Sequence, residues 1–214
     1  MALFLTFEGG EGSGKSTQIK ILAETLRKRG LPCLATREPG GTEIGTEIRR
    51  LLLDGKNRHL APSAELLLYA ADRAQHIHEI IRPALAEGRH VLCDRFADAT
   101  LAYQGFGRGL DLELIRRLNA LATGGLRPDL TFLLDLPVAI GLARAQSRLA
   151  AQNSSEGRFE AETLAFHEKV RAAYLQLAAE EPERFCVLDA ASSIEILQEK
   201  ILEKVEMTLR KGKT

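Results

Sequence analysis

The amino-acid sequence predicts a three-layer α/β fold, a five-stranded parallel sheet flanked by helices, and three observations carry that reading. Five short apolar runs of strand type recur along the chain, helical periodicity fills the intervals, and a glycine-rich loop joins the first strand to the first helix. Strands that alternate with helices build a parallel sheet covered on both faces. In such a sheet, function gathers at the carboxyl ends of the strands.

Ala2-Leu3-Phe4-Leu5-Thr6-Phe7 supplies the first strand, and Ile19, Leu22, Ala23 and Leu26 give Gln18 to Arg27 a helical stripe. The second strand spans Pro32 to Thr36. A helix follows from Thr42 to Leu53, with Ile44, Ile48, Leu51 and Leu52 on one face and Gly55 as its stop. Pro62, a favoured first-turn proline, opens a helix carrying Leu66, Leu67, Tyr69, Ala70, Arg73 and Ile77, and Pro83 kinks or ends it. The remaining strands are His90-Cys93, Leu130-Leu136 and Phe185-Leu188. Further helices fit Asp111-Ala122, Val138-Arg148, Glu160-Glu180 and Ser193-Arg210.

The 214 residues suit a single domain, 1–214, and the 45% hydrophobic content is enough for a sizeable core. Lysine plus arginine equals aspartate plus glutamate at 29 each, so bulk charge points to neither nucleic acid nor an anionic membrane as partner. The N-terminal apolar run is too short for a signal peptide, and no run reaches the length of a membrane span. Cys33, Cys93 and Cys186 lie far apart in apolar surroundings and read as buried thiols. A cytoplasmic protein is expected. The histidines show no metal-ligand spacing, since His76 and His78 point to different helix faces.

Chemistry concentrates in four segments. Gly9, Gly14, Lys15 and Ser16 meet the phosphate-loop pattern within Gly9-Gly10-Glu11-Gly12-Ser13-Gly14-Lys15-Ser16-Thr17. The glycines allow several N–H groups to face one anion, Lys15 adds a compact positive charge, and Ser16 offers a hydroxyl to Mg²⁺. Binding of a nucleoside triphosphate follows. Asp94-Arg95 comes directly after the third strand, with a carboxylate placed for Mg²⁺ or its waters and a two-pronged donor for a second phosphate. Arg37-Glu38-Pro39-Gly40-Gly41-Thr42 is a turn whose charges face the same cleft. Tyr69 and Arg73 share a helix face and suit a planar base, although a ring on an apolar face is as readily core.

Two further stretches read as loops. Tyr103-Gln104-Gly105-Phe106-Gly107-Arg108-Gly109 is glycine-dense, and Gln104 offers the donor and acceptor of a pyrimidine edge. The stretch from Ala150 to Arg158 is small and polar, and with Arg144, Arg148 and Arg158 around it a lid at about 144–160 is expected.

Taken together, these segments resemble the thymidylate kinase family over nearly the full length. The resemblance rests on Phe7 to Thr17, Arg37 to Thr42, Ala70-Ala71-Asp72-Arg73, Cys93 to Phe96, Ala102-Tyr103-Gln104-Gly105 and Leu134 to Pro137. It implies a phosphate-loop NTPase fold, ATP and Mg²⁺, and transfer of the γ-phosphoryl group to dTMP. By position, Tyr69 stacks on thymine, Arg73 and Gln104 meet the base edge, and Thr100 lies near the base. Arg95 and Arg49 hold the acceptor phosphate, Glu38 lines that pocket, and Tyr103 lies against the deoxyribose. Glu11 faces the sugar 3′-hydroxyl and the metal.

Some relatives carry an arginine at Gly12; this chain resembles the bacterial kind, with the catalytic arginine in the lid, among Arg144, Arg148 and Arg158. A homodimer is implied. Two positions depart from the family pattern: Tyr69 stands where phenylalanine is usual, so its hydroxyl needs a polar partner, and Gly157 replaces a common aspartate. The alternatives are a kinase of another small molecule and a GTP-dependent switch. The Asn-Lys-x-Asp signature of guanine readers does not occur in the chain.

Overall fold

The computed structural model describes residues 2–152 and 155–211. Its five parallel strands are β1 (Phe4–Glu8), β2 (Cys33–Arg37), β3 (His90–Asp94), β4 (Leu130–Asp135) and β5 (Phe185–Asp189). They lie in the order β2-β3-β1-β4-β5. The helices are α1 (Lys15–Lys28), α2 (Glu43–Leu53), α3 (Pro62–His76), α4 (Arg82–Ala86), α5 (Ala97–Thr100), α6 (Leu112–Thr123), α7 (Val138–Gln152), α8 (Leu164–Glu180) and α9 (Ile194–Lys211). The expected α/β sheet is present, and each strand lies within two residues of its sequence estimate.

Burial of both sheet faces explains why the strands read as continuous apolar runs. On one face Leu5, Phe7, Leu92, Phe132 and Leu134 pack with α1 and α9 through Leu22, Leu26 and Ile201. On the other, Leu133 meets Tyr103, Phe166, Val170 and Tyr174. The chain runs outward from β1 to β2 and later crosses to β4 on the opposite side of β1. That reversal opens a crevice at the carboxyl end of the central strands, where ligands of open α/β sheets bind.

One local expectation is corrected. The glycine-dense loop at 103–107 is helical: Leu101–Gly107 forms wide π-type turns continuing α5. Gly105 and Gly107 serve packing there, because a Cβ would come within 2.4 Å of Leu112 and 2.7 Å of Phe166 respectively. The helix opened by Pro62 breaks at Ile77–Ile81, a single wide turn ahead of Pro83, and resumes as α4. Proline lacks the N–H for the regular ladder, and the wide turn absorbs that gap. In the segment expected as a lid, α7 reaches Gln152 and a turn at 158–161 precedes α8, which begins at Leu164. Asn153 and Ser154 of that stretch lie outside the described residues.

Candidate active site

The glycine loop leaves β1 at Glu8 and enters α1 at Lys15, with Gly14 left-handed at φ 92° and no side chain capping the first turn. The first N–H groups of α1 are therefore left for an anion, and no acidic residue in that turn opposes one. Gly9, at φ 136°, has no room for a side chain, since a Cβ would meet the Leu134 carbonyl oxygen at 2.4 Å. Gly12, at φ 66°, lies so close to α7 that a Cβ would reach the Gly141 carbonyl oxygen at 2.2 Å.

Lys15 is folded back into this loop, donating to Gly10 O at 2.8 Å, Ser13 Oγ at 3.1 Å and Gly9 O at 3.2 Å. Burial disfavours its charge, and the neighbouring Arg95 adds repulsion, so its ammonium pKa is lowered to about 8. The negative charge of an arriving phosphate would offset both penalties. Ser16 Oγ donates to Asp94 Oδ2 at 2.6 Å, bringing the two expected metal-site oxygens together. Among the described residues no cage of three or more histidine, cysteine or acidic side chains forms. Two oxygens of this kind fit Mg²⁺, which keeps waters and phosphate oxygens for most of its coordination.

A cavity of about 480 Å³ extends from this loop across the crevice and is lined by Ser13, Thr17, Arg37, Asp94, Tyr69 and Thr100 among others. Among its lining residues is Arg95, a non-glycine residue at φ 68°. Its left-handed turn is held by backbone bonds at either side: Arg95 N donates to Phe7 O at 3.0 Å, and Phe96 N donates to the Glu8 carboxylate at 2.7 Å. The guanidinium reaches Glu11 Oε1 at 2.9 Å, Gly9 O at 3.1 Å and the Tyr174 hydroxyl at 3.2 Å, over the Tyr103 ring.

Glu11 accepts a second bond from the Tyr103 hydroxyl at 2.8 Å. Burial opposes its ionisation, but Arg95 and Lys15 outweigh that and hold its carboxyl down to about 2. Glu8 behaves oppositely. Fully buried at the end of β1 and near Asp98, its carboxyl is pushed up to about 8.

At the far end Tyr69, Arg73, Thr100 and Gln104 line the same cavity. The Thr100 Oγ1 is buried without a hydrogen-bond partner, an unmet polar atom of the kind a ligand satisfies. Arg73 is almost wholly buried and held by Glu38 at 2.8 Å, Asn119 at 2.7 Å and the Phe96 carbonyl at 3.0 Å. Glu38 also meets His76 Nδ1 at 3.0 Å, so its first task is to position Arg73. The Tyr69 hydroxyl finds no protein partner among the described residues, contrary to expectation. Tyr69 is one of the residues that line the cavity.

The arginines around the lid divide. Arg37 and Arg148 line the cavity, and Arg148 stands 3.7 Å from Glu160. Arg144 lies beside the glycine loop, its Cβ 3.1 Å from where a Gly12 side chain would begin. Arg49 is held by Glu156 at 2.7 and 3.0 Å and by the Pro39 carbonyl. Arg158 departs from the expectation of an arginine aimed at the transferred phosphoryl group. It is buried away from the cavity, bonded to the Leu52 carbonyl and to Glu65 at 2.6 Å, because buried Glu65 requires a counter-charge.

Sequence reasoning missed Glu65, Glu8, Tyr174 and Asn119. Glu65 carried a signal, since Glu65, Tyr69 and Arg73 recur at four-residue spacing along one face of α3. Glu8, Tyr174 and Asn119 carried none, because they meet their partners only through the sheet and the packing of α8 and α6.

The thymidylate kinase family matches residues 7–201 of this chain. A Geobacter sulfurreducens protein named thymidylate kinase is 59% identical over 196 residues, covering 91% of this chain and 92% of that protein. One of the same name from Geotalea uraniireducens is 53% identical over 213 residues, covering 99% of this chain and 100% of the relative. Among solved structures, the thymidylate kinase of Ehrlichia chaffeensis superposes with a TM-score of 0.77 at 33% identity, covering 96% of this chain and 98% of that one.

Proposed function

The chain belongs to the thymidylate kinase family and transfers a phosphoryl group from ATP to dTMP, and on that premise we propose how its residues divide the work. The observation that carries the assignment is the single continuous cavity running from the glycine loop, past Arg95, to the polar end at Thr100 and Gln104.

ATP is held by the loop from Gly9 to Thr17, with Lys15 released from Gly10 and Ser13 to the β and γ phosphates, and with Arg144 alongside. Ser16 and Asp94 would hold Mg²⁺. Mg²⁺ held there would supply positive charge to neutralise the charge that develops during transfer. The acceptor phosphate meets Arg95, Arg49 and Arg37. Tyr103 and Glu11 flank the sugar, and Tyr69 lies on the base. Arg73, Thr100 and Gln104 meet the base edge, with Glu38 holding Arg73 in place. Chemistry is positioning plus charge neutralisation, since phosphoryl transfer needs little covalent help from the protein. Of the three lid arginines, Arg148 takes the catalytic position, because it alone lines the cavity, with a half-exposed side chain. Arg158 anchors the lid segment at 144–160 within the one domain.

We further propose a homodimer and a cytoplasmic setting. The exposed apolar residues Ile44, Leu51, Leu67, Leu114 and Leu121 lie on α2, α3 and α6, as a self-pairing face requires. No helix among the described residues is long and apolar enough to cross a membrane. All three cysteines are free, Cys33 and Cys93 buried and Cys186 half-buried, as suits a reducing compartment. A coupled ADP-release assay over dTMP, dUMP, dCMP, dAMP and dGMP tests the assignment. Turnover should be highest with dTMP, and equal turnover across the panel would overturn it.

A further inference from the structure

We infer that Glu65, which does not touch the base, sets base selectivity by fixing the orientation of the Gln104 amide. The inference rests on the placement of the base at Tyr69, Thr100 and Gln104 proposed above.

Glu65 is wholly buried in α3. Its Oε1 accepts from Gln104 Nε2 at 2.7 Å, and its Oε2 accepts from Arg158 at 2.6 Å. Arg108 donates to both oxygens at 3.3 and 3.4 Å. A carboxylate between two guanidinium groups offers only acceptors, so the amide NH₂ of Gln104 must face it. The reverse orientation would set the amide oxygen against a carboxylate oxygen in a buried site, which costs more than the hydrogen bond it replaces. Gln104 Oε1 accepts no bond among the described residues, nor is it a sealed, orphaned atom, and it is left open to the cavity that Gln104 lines.

That remaining atom decides the base. An acceptor aimed at ring position 3 suits the N–H of thymine and meets a lone pair on cytosine. An amide free to turn would serve either base, so a freely rotating Gln104 could not discriminate. Selectivity therefore originates one layer behind the residue that reads the base. The same carboxylate holds Arg158, so the lid segment and the base reader share one anchor. A carboxylate acting only as counter-ion to Arg158 and Arg108 would influence stability and leave the choice of base alone.

The test is Glu65→Gln, with kcat and KM measured for dTMP and dCMP and folding followed by thermal melting. A glutamine at 65 can donate to Gln104 Oε1, which frees Nε2 to turn toward the cavity. The preference for dTMP over dCMP should fall by about 10-fold, through a higher KM for dTMP and a lower one for dCMP. A folded variant with the wild-type ratio overturns the inference. Failure of the wild-type protein to phosphorylate dTMP would instead overturn the acceptor assignment on which it rests. Should Glu65→Gln not fold, solvent exchange of the Gln104 side-chain amide in ¹⁵N-glutamine-labelled wild-type protein decides, with the signal assigned by its loss in Gln104→Leu. One Nε2 proton should be protected with and without dTMP. Exchange of both protons at the rate of a free amide refutes the fixed orientation.

Discussion

Arg49 is clasped by Glu156 through two parallel hydrogen bonds of 3.0 and 2.7 Å, which binds α2 to the segment preceding α8. The fork that suits a carboxylate equally suits a phosphate, so a dTMP phosphate arriving at Arg49 competes with Glu156. Glu156→Gln removes the competing charge. Because both side chains are partly exposed, at 20% and 39%, the effect is modest: dTMP affinity measured by calorimetry should rise about 2- to 5-fold. Weaker binding by the variant would mean that Glu156 holds Arg49 in its productive position instead.

Lys15→Ala should lower kcat by roughly 10²-fold or more while far-UV circular dichroism stays unchanged. The lost charge acts mainly on the transition state. Its three hydrogen bonds all stay within the loop, to partners at most six residues away, so the packing of the sheet and helices does not depend on them. Wild-type turnover in this variant would remove the loop from the mechanism.

The lid arginines should separate by what each loss damages. Arg148→Ala should slow single-turnover transfer by on the order of 10³-fold with little change in melting temperature. Arg158→Ala breaks a buried ion pair whose side chains are 3% and 1% exposed, and should destabilise the fold by on the order of 3 kcal/mol. A normal transfer rate in Arg148→Ala, with a slow and stable Arg158→Ala, would exchange the two roles.

Acceptor choice should follow the edge of the base. Arg73 can only donate, which suits the carbonyl at position 4 of thymine and opposes the amine of cytosine. Specificity constants should favour dTMP over dCMP by about 10²-fold or more, whereas loss of the methyl group in dUMP should matter less, about 1–3 kcal/mol. Comparable constants for dTMP and dCMP would show that Arg73 and Gln104 do not read the base.

The pH dependence follows from Lys15, whose pKa in the empty site is lowered to about 8 from an ordinary 10.5 by burial first and Arg95 second. Between those values the folded protein has released a proton that the unfolded chain still holds. The contribution of this group to stability therefore rises from pH 8 toward 10.5, and its charge burdens the fold below pH 8. Phosphate binding reverses the sign, since it favours the ammonium. ATP binding should take up a proton between about pH 8 and 10 and weaken as pH rises, read by calorimetry in buffers of different ionisation enthalpy. Binding without proton uptake in that window would place Lys15 outside the phosphate site.

The sequence by itself determined the strands, the parallel sense of their sheet and the phosphate loop. Apolar runs that alternate with helical stripes imply crossover connections and hence a parallel sheet, although its partners lie far apart along the chain, and the loop needs only glycines, Lys15 and Ser16 at short spacing. It also placed Tyr69 and Arg73 on one face, since four residues make roughly one helical turn. Only the tertiary structure decided which charges meet. Arg158 and Glu65 are 93 residues apart, and Arg49 and Glu156 are 107 apart. A lone arginine in a polar stretch reads the same whether it faces a phosphate or a buried carboxylate. The deciding quantity is the desolvation of Glu65, which exists only once α3 is covered, and that burial turns Arg158 inward and leaves Arg148 facing the cavity.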